Sequence, residues 1–331
     1  MKKFIKKIVL SVTGVPVEWI KYYYKQTKRF YKNSVASSNS EDIKWLITKI
    51  KVLTHELDKG LHMPEPRKGF GRDKAITLSS YLKAYLEFNK LDYEYDAYLD
   101  AVEILYKYCE AKDLYCLDIS GIDLSEFPTD YSRVKRRLQE SGSFKDDFKA
   151  TQNENCFKNF ALSRHSVRFF KADCPILNST FEKAVEVART APSACNRQSS
   201  RVMLINDKKL ANQILIIQGG TRGFKNADNC VLIMSDLNSY WYDGEMNTAF
   251  VDAGIFTMNL MYSLKELGVA SCPLIWDDNS ARRSELNELI ELPNNLLIVC
   301  VLAIGEADEK AKMLFSPRKD IENIIVKVRR K

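Results

Sequence analysis

The chain is poor in histidine, pairs none of its cysteines in a C-x-x-C motif and holds no glycine-rich nucleotide fingerprint. Three histidines and eight dispersed cysteines leave no ligand set for a structural zinc site, and no metal is expected. No G-x-G-x-x-G follows a strand-like run, so a dedicated Rossmann nucleotide domain is excluded. No apolar run is long enough to span a bilayer; the best, Ile8 to Val17, is short and broken by Gly14 and Pro16. Glu18 and Trp19 follow it where a signal peptide would have a small-x-small cleavage site. The cysteines read as buried reduced thiols of a cytoplasmic protein. A strong excess of one charge is also missing. The net charge of +7 is moderate and its basic residues are spread along the chain except at the N-terminus, so nucleic acid is not an expected partner. What is present is a 331-residue globular composition, 45% hydrophobic and 28% charged, with room for one large domain or two smaller ones.

Four regions follow from the pattern. Residues 1–32 form a basic, aromatic arm, with nine lysines and arginines against Glu18 and with Phe4, Trp19, Tyr22 and Phe30 between them. Two readings stay open for it: peripheral contact with an anionic membrane at its inner face, or packing on its own protein. Residues 33–42, "NSVASSNSED", read as a polar linker. Residues 43–150 carry helical patterns and no convincing strand. From 151 to 331 the character changes: "RVMLIN", "CVLIMS", "VASCPLIW" and "LLIVCVLAIG" are short apolar runs of buried strands, alternating with helices. The helix in "AFVDAGIFTMNLMYSLKELG" is apolar on nearly every side and needs cover all round, by its own sheet and by a second subunit. The expected architecture is α+β, preceded by an all-helical region.

Two stretches hold the candidate chemistry. "RTAPSACNRQSSRV" joins a helix to a strand through a turn crowded with Ser193, Asn196, Arg197 and Gln198. The helix before it has Phe181, Ala184, Val185 and Ala188 as its stripe, a capping box from Ser179 to Glu182, and Pro192 beyond its end. "LSRHSVRFF" gathers Arg164, His165, Ser166 and Arg168. On a helical turn its two arginines share a face, and they repel unless an anion lies between them. Ser316, Arg318 and Lys319 form a late basic loop, and Pro273 interrupts the strand "VASCPLIW".

Taken in order, "RHSVRFF", "APSACNRQ", "DAGIFTMNLMYSLKELGVASCPL" and "AIGEADEKAKMLFSPRKDI" resemble the nitroreductase family of flavin enzymes over roughly residues 160 to 326. The resemblance implies a mixed sheet flanked by helices, and an intertwined homodimer with one FMN in each of two interface clefts. It implies that Arg164, His165, Ser166 and Arg168 hold the phosphate and ribityl chain, with Arg318 reaching the same phosphate. Pro192, Ser193, Ala194, Asn196 and Gln198 are then contributed by the other subunit, and Pro273 and Leu274 lie against the flavin ring. NADH or NADPH is the implied transient donor and a small molecule the acceptor; no side chain is named as catalytic. Two rival readings are a flavin reaction on a polysaccharide-pathway intermediate and a non-catalytic assembly protein that keeps the fold at the membrane. Cys195 and Ser199 depart from the glycine or alanine and the proline of many relatives, and Ser316 from a basic residue. Cys195 is either a small filler or a thiol near the flavin. "HELDKGLHMPEPRKGFGR" resembles an extension on nitroreductase-like proteins encoded with surface-polysaccharide genes. There His55, Arg67, Lys68 and Arg72 either cover the cleft or belong to a plain interhelix loop.

Overall fold

The computed structural model describes residues 17–61, 67–88, 93–125, 127, 154–277, 280–309, 311 and 321–328. Its first helix, α1 (Val17–Asn33), buries Phe30 and leaves its lysines outside. α2 (Ile43–Leu61), α3 (Arg72–Glu87) and α4 (Tyr95–Glu110) pack around a core of their own. Leu46, Ile50 and Leu57 on α2 meet Leu78, Leu82 and Tyr85 on α3, each set recurring at helical spacing. Two tyrosines of this core pair their hydroxyls with backbone carbonyls: Tyr85 donates to Tyr93 O at 3.0 Å and Tyr108 to Phe70 O at 2.5 Å. The all-helical region read from the sequence is present.

The second core surrounds a four-stranded antiparallel sheet. Its order is β1 (Ser200–Ile205), β2 (Asn229–Asp236), β4 (Leu296–Gly305), β3 (Ala270–Ile275). The helices of this half are α5 (Glu154–Leu162), α6 (Asn178–Ala188), α7 (Lys208–Gln218), α8 (Thr248–Glu266) and α9 (Ser280–Asn287). Cys230, Leu232 and Met234 of β2 face α7 and α9, while Val231 and Ile233 face α6 and α8. That alternation, buried on both sides, is what a strand sandwiched between two helical layers requires. A bulge in β4 turns Val299 and Cys300 to the same face, since Ile233 pairs with Cys300 but Met234 with Ile298. Among the described residues, parallel pairing is confined to the isolated bridges Ser166–Ser271 and Phe169–Lys225, outside the four-stranded pairing. Gly268 ends α8 as expected. At φ +78° it lets Val269 N reach back to Leu264 O at 2.8 Å.

Three local expectations are corrected. α6 starts at Asn178, one residue before the expected cap, and Leu177 takes the cap position with no side-chain bond, so Ser179 and Glu182 form no capping box. The stretch 33–42 is docked rather than free: Val35 is 1% exposed and its N–H donates to Tyr240 O at 3.0 Å. The thiols are all reduced but only partly buried, since Cys116 and Cys156 are exposed.

Candidate functional site

β3 is an edge strand, and residues 164–168 run along its free side. Ser166 bridges Ser271, and Val167 N donates to Ser271 O at 3.1 Å; Lys225 N donates to Arg168 O at 3.0 Å. This segment is extended, not the expected helical turn. Arg164, Ser166 and Arg168 gather around Cys272. The Ser166 hydroxyl meets its thiol and both guanidinium groups act on it, although burial dominates and pushes the thiol up. Arg168 is half-buried, its guanidinium 6.0 Å from the Phe224 ring centroid and its Nη1 bonded to Ser166 O at 3.2 Å. Arg164 Nη1 is buried with no acceptor among the described residues. A desolvated cationic donor left unpaired is costly, and an anion with several oxygens removes the cost. These residues therefore fit a phosphate group. His165 is exposed between them, and Arg318 lies outside the described residues.

The register places Ser271, Pro273 and Ile275 on the α6–α8 face, because they pair with Ile304, Leu302 and Cys300. Pro273 is exposed there, and Ile275 is 84% exposed. Leu274 points the other way into the α7–α9 core, so only its backbone borders this face.

The polar turn lies at the opposite edge of the sheet, just before β1. Cys195, Asn196 and Gln198 all have left-handed backbones, at φ 50°, 51° and 50°. Three such non-glycine residues in four positions store strain that the surroundings must offset. They do so through two buried acids. Asp252 on α8 accepts from Ala194 N at 3.2 Å and from Ser199 Oγ at 3.4 Å. Glu245 clasps Arg197, with Nη2–Oε1 at 2.5 Å and Nη1–Oε2 at 3.0 Å. The guanidinium also bonds Ser239 O and Ala194 O and lies 4.8 Å from the Trp241 ring centroid. With Arg197 drawn inward, Asn196 and Gln198 face outward beside exposed Pro192. Ser193 Oγ accepts from Gln198 N at 2.9 Å and closes the turn. Burial pushes the Asp252 carboxyl and the Cys195 thiol up, so Cys195 reads as a filler.

Arg197, Glu245 and Asp252 were not among the expected site residues. Arg197 looked like one more polar group of the turn, and its partner stands 48 residues away with no local signal. In the extension, Arg72 bonds Asp118 at 2.6 Å and Ser120 at 3.3 Å, which favours interhelix packing over anion binding for that residue.

β1 and β3 are separated by two strands, or about 14 Å at three strand spacings. One chain therefore does not bring its cationic edge and its polar turn together. The polar turn meets α8 through Asp252, whereas Cys272, around which Arg164, Ser166 and Arg168 gather, faces α7 and α9; the class so defined is an α+β domain with a polar cluster at each edge of its sheet. Residues 161–218 and 218–306 match the model of the nitroreductase family. Residues 161–306, less than half of the chain, are thus similar to the nitroreductase family. The chain is 26% identical over 180 residues to the FMN reductase [NAD(P)H] of Bacillus subtilis, covering 49% of this chain and 71% of that one. It is 27% identical over 177 residues to Protein DrgA of Synechocystis, covering 45% and 82%. Among solved structures, a nitroreductase family protein of Clostridium difficile aligns over 50% of this chain and 95% of its own, at 26% identity and a TM-score of 0.41.

Proposed function

We propose that the protein is an NAD(P)H-dependent flavin oxidoreductase that works as a homodimer and reduces a small acceptor in two half-reactions. The observation that carries this reading is the buried, acceptor-free Nη1 of Arg164 beside Ser166 and Arg168. These three residues, joined by Arg318, hold the FMN phosphate. FMN supplies the chemistry when bound, taking hydride from the nicotinamide and passing hydride or single electrons onward. The chain supplies position. Pro273 and the β3 backbone at Leu274 form an edge for the ring, and Pro192, Ser193, Ala194, Asn196 and Gln198 of a second copy close the cleft.

A two-fold axis through α8 exchanges the two sheet edges and brings these halves together. In support, Val251 (57% exposed) and Ile255 (40%) stand on the outward side of α8 at a spacing of four, with Phe250 (46%) beside them. Gly254 beside them has open space where a side chain would start, which suits close approach of another helix. The similarity to an FMN reductase supports the cofactor. The test is a flavin titration of Arg164→Ala/Arg168→Ala. Loss of two charge-assisted contacts of about 1.5–3 kcal/mol each weakens FMN roughly ten- to a hundredfold per arginine. Unchanged affinity would remove the phosphate assignment.

A further inference from the structure

The oxidoreductase reading leaves α1 unused, and its surface is strongly patterned. Lys21, Lys25, Lys28 and Lys32 stand four, three and four residues apart. At 3.6 residues per turn they collect into a stripe roughly 60° wide and roughly 16 Å long. All four are exposed, and among the described residues none makes an ion pair. Tyr24 (64% exposed) and Tyr31 (56%) flank the stripe, seven residues apart, with Ile20 beside them. Glu18 is the only acid on the helix. The stripe is not on a loose tail. On the opposite side Phe30, 5% exposed, packs with Leu237, Tyr240, Ala249 and Leu297, and Arg29 Nη2 bonds Leu296 O at 3.0 Å. The body of the enzyme thus fixes which side of α1 faces out.

We propose that this side of α1 is a docking face for an anionic phospholipid surface. Charge complementarity selects an anionic partner, since each lysine near such a surface contributes and the effect fades within a Debye length. The tyrosines select lipid over a solely acidic protein, because a ring with a polar tip sits well at headgroup level. No helix among the described residues is long and apolar enough to cross a membrane, so the contact is peripheral. Residues 1–16 add Lys2, Lys3, Lys6 and Lys7 in sequence to the same end of the chain. The proposal does not depend on flavin chemistry.

The test is co-sedimentation of the full-length protein with vesicles of phosphatidylglycerol and phosphatidylcholine, or phosphatidylcholine alone, at low and high salt. Three versions are compared: the parent, Lys21→Gln/Lys25→Gln/Lys28→Gln/Lys32→Gln, and a control with exposed Lys112, Lys158, Lys183 and Lys209 changed to Gln, which lowers net charge equally. The parent and control are expected to pellet only with anionic vesicles and to be released by salt. The stripe variant is expected to lose partitioning by up to roughly three orders of magnitude while its absorption spectrum and turnover stay unchanged. Equal binding to neutral vesicles, equal loss in the control, or a stripe variant that binds like the parent would overturn the proposal. So would a parent that ignores anionic vesicles at low salt but binds an acidic protein or an oligonucleotide through the same lysines.

Discussion

Arg197 makes contacts with five partners from one guanidinium: Glu245, the carbonyls of Ser239 and Ala194, and the Trp241 and Tyr240 rings. At 1% exposure it has no water to fall back on. Removing one member of such a buried pair leaves the other uncompensated, at a cost of about 3–5 kcal/mol. Glu245→Gln is therefore expected to lower stability by about that much in urea denaturation and to loosen the turn that Arg197 ties down; a loss below about 1 kcal/mol would show that the pair is not buried in solution. Asp252 makes a second, pH-dependent contribution. Burial holds its carboxyl above the ordinary 3.8, outweighing the bonds from Ala194, Tyr240 and Ser199 and the pull of Arg197. The folded state thus keeps this proton at a pH where the unfolded chain has lost it. The stability it contributes is full below the unfolded value and is lost as pH rises through the folded one. Asp252→Asn keeps an acceptor for Ala194 N and removes the titration. Urea midpoints between about pH 4 and 6 should then fall less with rising pH in the variant than in the parent; parallel curves would mean that the Asp252 carboxyl is not raised.

At the scale of elements, α8 carries the largest consequence. Its apolar residues face every direction, and one side remains uncovered among the described residues. Val251→Lys/Ile255→Lys places two charges on that side without touching the core. Sedimentation is expected to show a monomer with little bound flavin, whereas an unaltered dimer would move the interface elsewhere. This helix was legible in the sequence because all-round apolarity has few physical explanations. The segment 164–168 was legible in its residues but not in its conformation. A spacing of four returns a side chain to nearly the same side on a helix, at 400°, and on a strand, at 720°, so the paired arginines could not distinguish the two. The pairing of Ser166 with Ser271 decides it, and that contact spans more than a hundred residues. The polar stretch 33–42 misled in another way: its composition is that of a linker, but it is docked through buried Ser34 and Val35. Arg197 was hidden for the same reason as Ser166, since nothing near it in sequence announces Glu245.

At the scale of the whole molecule, the helical extension and the sheet domain share a seam. Phe30 and Val35 fill the sheet domain from the N-terminal side, Thr48 Oγ1 bonds Asn238 O at 3.0 Å, and Lys49 lies 4.3 Å from the Trp241 ring that also meets Arg197. The extension thereby braces the hub behind the polar turn. The central claim is that the turn serves a different chain from the arginines beside it in sequence, because the sheet holds the two at opposite edges. The most direct test mixes two inactive chains. Arg164→Ala/Arg168→Ala damages the cationic half, and Asn196→Ala/Gln198→Ala damages the turn; each homodimer alone is expected to lose FMN. In a purified heterodimer of the two, a cleft shared between chains leaves one site intact and the other doubly damaged. Flavin absorbance is then expected at about half the parental stoichiometry, reducible by NADH or NADPH under anaerobic conditions. If both halves of a site came from one chain, neither cleft would be intact, and a heterodimer that stays colourless would contradict the account.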